Sequence, residues 1–207
     1  MPDPVLERFT PENTTILMVD YSLGFMNMFR SHTINDHLQG TVALAKIGLN
    51  FGTGFVVNLG AGQTPYPQLV EALGDRADEI IYRGGEYDAL SNADVLAAIE
   101  ATRRDRLVIG GISTEGCVIE TAFGALRRGY TVGIVGDATA GQTLENHNLA
   151  LQRMVQAGVV PLSWLSLATE LQYDWSKGDT AQAYFQIIAE ASPGVMAAVQ
   201  SEHEVPA

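Results

Sequence analysis

One cysteine, Cys117, lies where an apolar run of the sequence gives way to a helical pattern. The segment GISTEGCVIETA follows the run Arg106 to Ile109, and it holds the only cysteine among 207 residues. Asp20 and Arg83 end two other apolar runs. A thiolate is favoured at a helix N-terminus and beside an arginine, so we expect the pKa of Cys117 to lie below the roughly 8.5 of free cysteine. A neighbouring carboxylate could accept the thiol proton and later activate water, which is the chemistry of a nucleophilic hydrolase.

Each of these residues also has a plain structural explanation. A single cysteine is commonly a small buried hydrophobe, and an aspartate that ends a strand commonly stabilises a turn. Arg83 could be a solvated surface cation. A protease-like pairing of Cys117 with His147 fits the spacing, although the pattern places His147 within a helix, where a surface role is expected. Position along the chain does not decide among these possibilities.

Six apolar runs of strand length alternate with helical stretches. The predicted strands are Thr14 to Asp20, Gly54 to Leu59, Asp78 to Arg83, Arg106 to Ile112, Thr131 to Ala138 and Val159 to Ala168. Strands joined through helices imply βαβ crossovers, and therefore an α/β fold with a parallel sheet. Their near-continuous apolar character fits a sheet that is covered on both faces. Because ligands of such sheets bind beyond the carboxyl ends of the strands, we expect the functional site there.

The composition bounds the class of protein. The length predicts a single domain over residues 1–207, with about 176–207 as a C-terminal helical appendage. A net charge of −12 argues against a nucleic-acid partner, and no apolar run reaches the roughly 18 residues of a membrane span. The first ten residues lack the features of a signal peptide, and one cysteine cannot form an internal disulfide. A cytoplasmic protein is expected.

No cofactor or metal ion is expected from the sequence motifs. The four histidines form no short zinc-binding pattern. The glycine-rich stretch GTGFVVNLGAG matches neither the dinucleotide-binding motif nor the phosphate-binding loop.

Four segments resemble the isochorismatase-like cysteine hydrolases, in particular a small bacterial subgroup with an arginine after the third strand. They are ILMVDYSLGF, IIYRGGEYDAL, LVIGGISTEGCVIETAFGALRRGYTVGIVGDATA and LQRMVQAGVVPLSWLSLATELQYDW, and the likeness runs from about residue 8 to 190. The resemblance implies a three-layer α/β/α fold whose six-stranded, mainly parallel sheet has the order 3-2-1-4-5-6. It also implies a homo-oligomer of two to eight subunits and a cis peptide bond between Ile112 and Ser113.

The same resemblance implies a catalytic Asp–Lys–Cys triad, whose members fall on Asp20, Arg83 and Cys117. The N–H groups of Ser113 and Cys117 would form an oxyanion hole. Arg83, which replaces the family's lysine, stays protonated and can assist electrostatically but hardly transfer a proton. The loop after the second strand lacks the Asp-x-His metal ligands of the nicotinamidase branch. Candidates for the pocket wall are Tyr21, Phe25, Asn58 and Tyr87.

The function predicted on this basis is hydrolysis of a small amide-like C–N bond in a small-molecule substrate, through a thioester acyl-enzyme. Two alternatives come from other classes. A redox-responsive thiol protein would use Cys117 without hydrolysis. A non-catalytic homo-oligomeric binding protein is also consistent with the sequence, because Arg83 could mark a lost triad.

Overall fold

A central six-stranded sheet organises the fold in the computed structural model, which describes residues 6–176, 178, 180–195 and 197. The strands are β1 (Thr14–Val19), β2 (Gly54–Gly60), β3 (Ile81–Arg83), β4 (Arg106–Gly111), β5 (Thr131–Val135) and β6 (Val160–Leu162). Every neighbouring pair is parallel, and the order is β3-β2-β1-β4-β5-β6. The predicted fold class and strand order are confirmed.

Helices cover both faces of the sheet. They are α1 (Ile34–Asn50), α2 (Pro67–Leu73), α3 (Ala93–Ala101), α4 (Ile119–Arg127), α5 (Leu144–Gln156), α6 (Trp164–Gln172) and α7 (Ala181–Ala191). Along β1, Ile16 and Met18 belong to a buried apolar cluster on one face, the first apolar cluster. Leu17 and Val19 belong to a second apolar cluster on the other face. Because successive strand side chains point to opposite faces, these clusters are the two cores of a three-layer fold. Among the described residues, no helix is long and apolar enough to cross a membrane.

The predicted sixth strand is wrong beyond Leu162. Ser163 caps the N-terminus of α6 instead: its hydroxyl accepts from the N–H of Ser166 at 3.0 Å, and the Ser166 hydroxyl accepts from the N–H of Ser163 at 2.9 Å. This reciprocal capping box satisfies N–H groups that a helix start leaves free. The apolar run continued across the boundary because both the strand and the helix bury side chains, so hydrophobicity alone did not separate them.

The C-terminal part of the described chain packs onto the rest of the domain. Ile187 and Ile188 of α7 join the buried cluster that also contains residues of α1 and α6. Within the predicted appendage, residues 177, 179, 196 and 198–207 lie outside the described residues.

Two glycines near the end of β4 lie in close contact with their surroundings. A Cβ atom on Gly111 would lie 2.3 Å from the carbonyl oxygen of Val19 in β1, so this position has no room for a side chain. A Cβ atom on Gly110 would lie 2.5 Å from a methyl carbon of Leu44 and 2.6 Å from the hydroxyl oxygen of Tyr21, so a side chain there would displace these two side chains. The chain therefore passes from β4 into its following turn directly beside the end of β1, where Asp20 lies.

Candidate active site

A buried ion pair joins the ends of β1 and β3. One carboxylate oxygen of Asp20 accepts from Nη2 of Arg83 at 2.5 Å, and the other accepts from the N–H of Gly60 at 3.0 Å. Asp20 is only 1% exposed and Arg83 only 3%. Asp20 also adopts a left-handed backbone conformation, with φ of 57°. Such a conformation is uncommon for a residue other than glycine, although aspartate tolerates it, and it is typical of functional sites.

Cys117 lies in the irregular turn that links β4 to α4. The turn spans Thr114–Val118, and Gly116 departs from helical geometry there, with φ of −120° and ψ of −108°. The predicted cis peptide bond between Ile112 and Ser113 is present just before it. The thiol is partly exposed and packs against the second apolar cluster. It therefore precedes the first regular turn of α4 and lies outside that helix.

The pKa of the Cys117 thiol is raised to about 12, so the expectation of a lowered pKa is wrong. Burial is the largest cause, and the negative charge of Asp20 and a hydrogen bond to it raise the pKa further. Arg83 acts in the opposite direction but does not overcome these effects. The resting thiol is therefore protonated, with a carboxylate next to it.

A cavity of about 400 Å³ opens onto this group of residues. Asp20, Arg83 and Cys117 all line it, together with the predicted wall residues Phe25 and Tyr87. The structure thus brings together five of the residues chosen from the sequence. Its other walls come from the loops after β2 and β3, namely Gly60, Ala61, Gln63, Gly84, Gly85 and Glu86. These were missed, although their place just after two strand ends was a usable signal.

Tyr21 and Asn58 do not line this cavity, contrary to the prediction. Tyr21 is buried in the first apolar cluster, where its hydroxyl donates to the carbonyl oxygen of Ala138 at 2.5 Å. Asn58 is buried within β2, and its amide donates to the carbonyl oxygen of Met18 at 3.1 Å. Both polar groups are directed to main-chain acceptors inside the fold.

Other cavities lie elsewhere on the described surface. One of about 460 Å³ adjoins the first and is lined by Tyr87, Asp88, Glu115, Gly116 and Glu120. Another of about 540 Å³ lies between α1 and α7 and contains none of the predicted catalytic residues. The three predicted catalytic residues therefore select the cavity of about 400 Å³ at the strand ends as the candidate active site.

His147 is buried, so the expected surface role is wrong. It lies in the first turn of α5, and its Nδ1 atom is 2.7 Å from the hydroxyl oxygen of Thr114. The ring nitrogen thus pairs with Thr114 rather than with the thiol, and this geometry gives no support to a protease-like pair with Cys117. Over the residues described, no group of three or more His, Cys, Asp or Glu side chains is arranged to hold a metal ion. The expectation that no metal is used stays a prediction.

Comparisons with known proteins show a family model and several proteins to which this chain is similar. A family model described as the Isochorismatase domain matches residues 14–166. The probable hydrolase YcaC of Escherichia coli is 28% identical over 170 residues, which cover 81% of this chain and 82% of that protein. The crystal structure of Escherichia coli YcaC, described as an octameric hydrolase of unknown specificity, has a TM-score of 0.87 at 25% identity and covers 95% of this chain and 96% of its own. YcaC from Pseudomonas aeruginosa, solved with hexane-2,5-diol and covalent acrylamide, gives 0.88 at 25% identity, with 96% and 98% covered.

Proposed function

Because this chain belongs to the isochorismatase domain family, we propose that it is a cysteine hydrolase of a small amide-like C–N bond. The observation that carries the proposal is the buried Asp20–Arg83 pair, which lines one cavity together with the thiol of Cys117. This arrangement gathers a proton acceptor, a fixed positive charge and a nucleophile around one space. A cavity of about 400 Å³ suits a small molecule.

The reaction begins with a protonated thiol. As the sulfur of Cys117 attacks the substrate carbonyl carbon, its proton passes to the carboxylate of Asp20. The tetrahedral intermediate then collapses: the C–N bond breaks, and Asp20 returns the proton to the departing nitrogen. Water attacks the resulting thioester while Asp20 accepts a proton from it, and cleavage of the C–S bond releases the carboxylic acid and restores the thiol. The raised pKa of Cys117 favours proton transfer during attack over a thiolate formed beforehand.

The backbone before and at the cysteine supplies an oxyanion hole in this proposal. The N–H of Ser113 donates none of the turn and loop hydrogen bonds in the described part of the chain, and the N–H of Cys117 lies in the turn whose helical geometry breaks at Gly116. In this proposal both N–H groups donate to the negative oxygen of the tetrahedral intermediate. Preorganised donors of this kind stabilise charge that develops in the transition state.

Arg83 has an electrostatic role in the proposal. Its guanidinium holds Asp20 in a buried geometry, acts on the thiol to lower its pKa, and lines the cavity where it can anchor polar substrate atoms. It does not carry a proton between steps, because arginine stays protonated in proteins. Replacement of the family's lysine by Arg83 therefore changes the geometry of the cation but keeps its charge.

The wider setting is proposed on the same basis. A homo-oligomer of two to eight subunits is supported by the octameric Escherichia coli relative. We also propose a cytoplasmic protein that needs no cofactor or metal ion and has no nucleic-acid or membrane partner. The redox alternative loses support from the raised thiol pKa, since redox-sensing cysteines are typically low in pKa.

A panel of small amides, with the products measured together with the intact protein mass, tests the proposal. The expected result is release of an acid and an amine from at least one amide, with a mass increase that maps to Cys117 as a thioester during turnover. The Cys117→Ser variant is the matched control and should give neither. Turnover that persists in Cys117→Ser would remove the nucleophile from the mechanism.

A further inference from the structure

Thr114 is the first residue of the irregular turn Thr114–Val118, called the cysteine turn below, and it is held by groups outside that turn. Its N–H donates to the carbonyl oxygen of Ala140 at 2.9 Å, and its hydroxyl oxygen lies 2.7 Å from Nδ1 of His147. Thr114 is 0% exposed and His147 is 4% exposed. Water therefore does not compete for this side-chain hydrogen bond, and bonds in such surroundings are strong and directional.

The cysteine turn has little regular structure of its own to keep its shape. Gly116 breaks the helical path, and the backbone of the turn is closed by a 3.1 Å hydrogen bond from Gly116 N–H to the carbonyl oxygen of Ser113. The carboxylate of Glu115 accepts from the N–H of Gln142 at 2.8 Å. The Ala140, Gln142 and histidine contacts all come from residues 140–147, and only the histidine contact joins two buried side chains.

We propose that His147 is a positioning residue for the nucleophile: through Thr114, it fixes the turn that presents the Cys117 thiol to the cavity. This inference rests on the proposed role of Cys117 as nucleophile. His147 is not among the residues that line the cavity, so it acts through Thr114 rather than on the substrate.

The charge state of the ring suits this role. Burial lowers the pKa of His147 to about 4, and the charge of His32 contributes further, because the two rings meet edge to face with their centres 5.0 Å apart. The ring is therefore neutral near pH 7. A neutral imidazole has one nitrogen that accepts a hydrogen bond and one that donates, so it can pair with a threonine hydroxyl without adding a charge beside the nucleophile.

The rate of alkylation of Cys117 by iodoacetamide, followed by intact mass at one fixed pH, tests the inference. The chain has no other cysteine, and the Cys117→Ser variant measures any reaction at other side chains. His147→Leu and Thr114→Val each remove one partner, and we expect each to lower the rate constant by about tenfold or more. Thr114→Ser and His147→Asn keep a polar partner and should stay within about threefold of the unsubstituted protein. The double variant His147→Leu, Thr114→Val should lose little beyond either single change.

Met154→Ala separates positioning from general stability. Met154 is fully buried in the same helix α5, and no polar contact joins it to the cysteine turn. This variant should lower Tm while its folded form alkylates at the unsubstituted rate. Unchanged alkylation in folded His147→Leu and Thr114→Val would overturn the inference, as would equal slowing in Met154→Ala. Thiol reactivity needs no turnover, so a failure of the amide panel and a failure of this inference are distinguishable.

Discussion

Two neighbouring residues, Asp20 and Tyr21, belong to two polar regions that differ in charge. The first region contains an ion pair, and the second consists of uncharged rings. The ion-pair region comprises Asp20, Arg83 and Cys117 and opens onto a cavity. The ring cluster comprises Tyr21, His37 and Tyr66, whose ring centres lie 5.7 to 6.1 Å apart, inside the first apolar cluster. Both regions lie near the end of β1, and Asp20, Arg83 and the three rings are all buried. Burial alone therefore does not explain why one region contains charged side chains and the other does not.

The presence of a charged partner explains it. Both ring nitrogens of His37 and the hydroxyl of Tyr66 lack a hydrogen-bond partner among the described residues. Burial, with a smaller contribution from the charges of His32 and His147, lowers the pKa of His37 to about 3, and burial raises the pKa of Tyr66. The cluster is therefore neutral at pH 7. In the ion-pair region Asp20 and Arg83 form a buried ion pair beside the thiol, so each charge has a partner of opposite sign.

The largest expected effect follows from removing the nucleophile of the ion-pair region. Cys117→Ser is nearly isosteric, so the fold should be retained, as judged by circular dichroism and Tm. Covalent labelling by iodoacetamide should disappear, and any amide hydrolysis should fall to background. Labelling that persists in this variant would show that another side chain reacts.

Removing the base should be nearly as severe. An amide cannot accept the thiol proton or activate water, so Asp20→Asn should lower turnover by about 10²- to 10⁴-fold. The same substitution should lower the pKa of Cys117, because Asp20 now raises it. Opposite shifts in turnover and in thiol acidity are the signature of a general base. Unchanged turnover would remove Asp20 from that role.

The pH dependence of alkylation checks the raised thiol pKa directly. Only the thiolate reacts, so its fraction should grow about tenfold per pH unit until the pKa is approached. With a pKa of about 12, the rate should still be climbing well above pH 9, where a free cysteine has levelled off. An alkylation rate that levels off at the same pH as that of a small free thiol would show that the pKa of Cys117 is not raised.

Arg83 gives a smaller effect when its charge is kept. Arg83→Lys should lower turnover by about tenfold, or about 1.4 kcal/mol, through altered reach. Arg83→Leu is the contrasting change: it leaves a buried carboxylate without a partner and should destabilise the fold by about 3 to 5 kcal/mol. Chemical denaturation and turnover, measured together, distinguish the two results. A Lys variant as impaired as the Leu variant would indicate that the planar fork itself is required.

The smallest effects should come from the ring cluster. Tyr21→Phe removes the hydrogen bond to Ala138 and should lower the free energy of unfolding by about 1 kcal/mol. His37→Leu removes nitrogens that have no partner among the described residues and should change it by less than about 1 kcal/mol. Turnover should stay within about twofold in both variants. A large loss of turnover in either variant would show that the ring cluster also contributes to catalysis.

Sequence and structure agree best where one physical rule decides the outcome. Buried parallel strands alternate with helices, so the strand pattern placed Asp20, Arg83 and Cys117 at one edge of the sheet, and the family likeness supplied the strand order. The thiol pKa was not predictable, because it depends on the balance of burial against two nearby opposite charges. The partner of His147 was equally hidden, since Thr114 lies 33 positions away in sequence. The start of α6 was readable from its paired serines, but the apolar run masked it.

The glycine that ends β4 has a consequence for how this sequence can vary. Gly111 carries no functional group, yet an added methyl there would lie 2.3 Å from the carbonyl oxygen of Val19, which belongs to the backbone of β1. In a library that samples all twenty amino acids at every position, this site should tolerate substitution poorly, although it takes no part in the chemistry. A survey based on tolerance alone would therefore report Gly111 beside Cys117 as if it were a catalytic residue. Its constraint is one of clearance, because β4 lies against the end of β1 just before the turn that contains the cysteine.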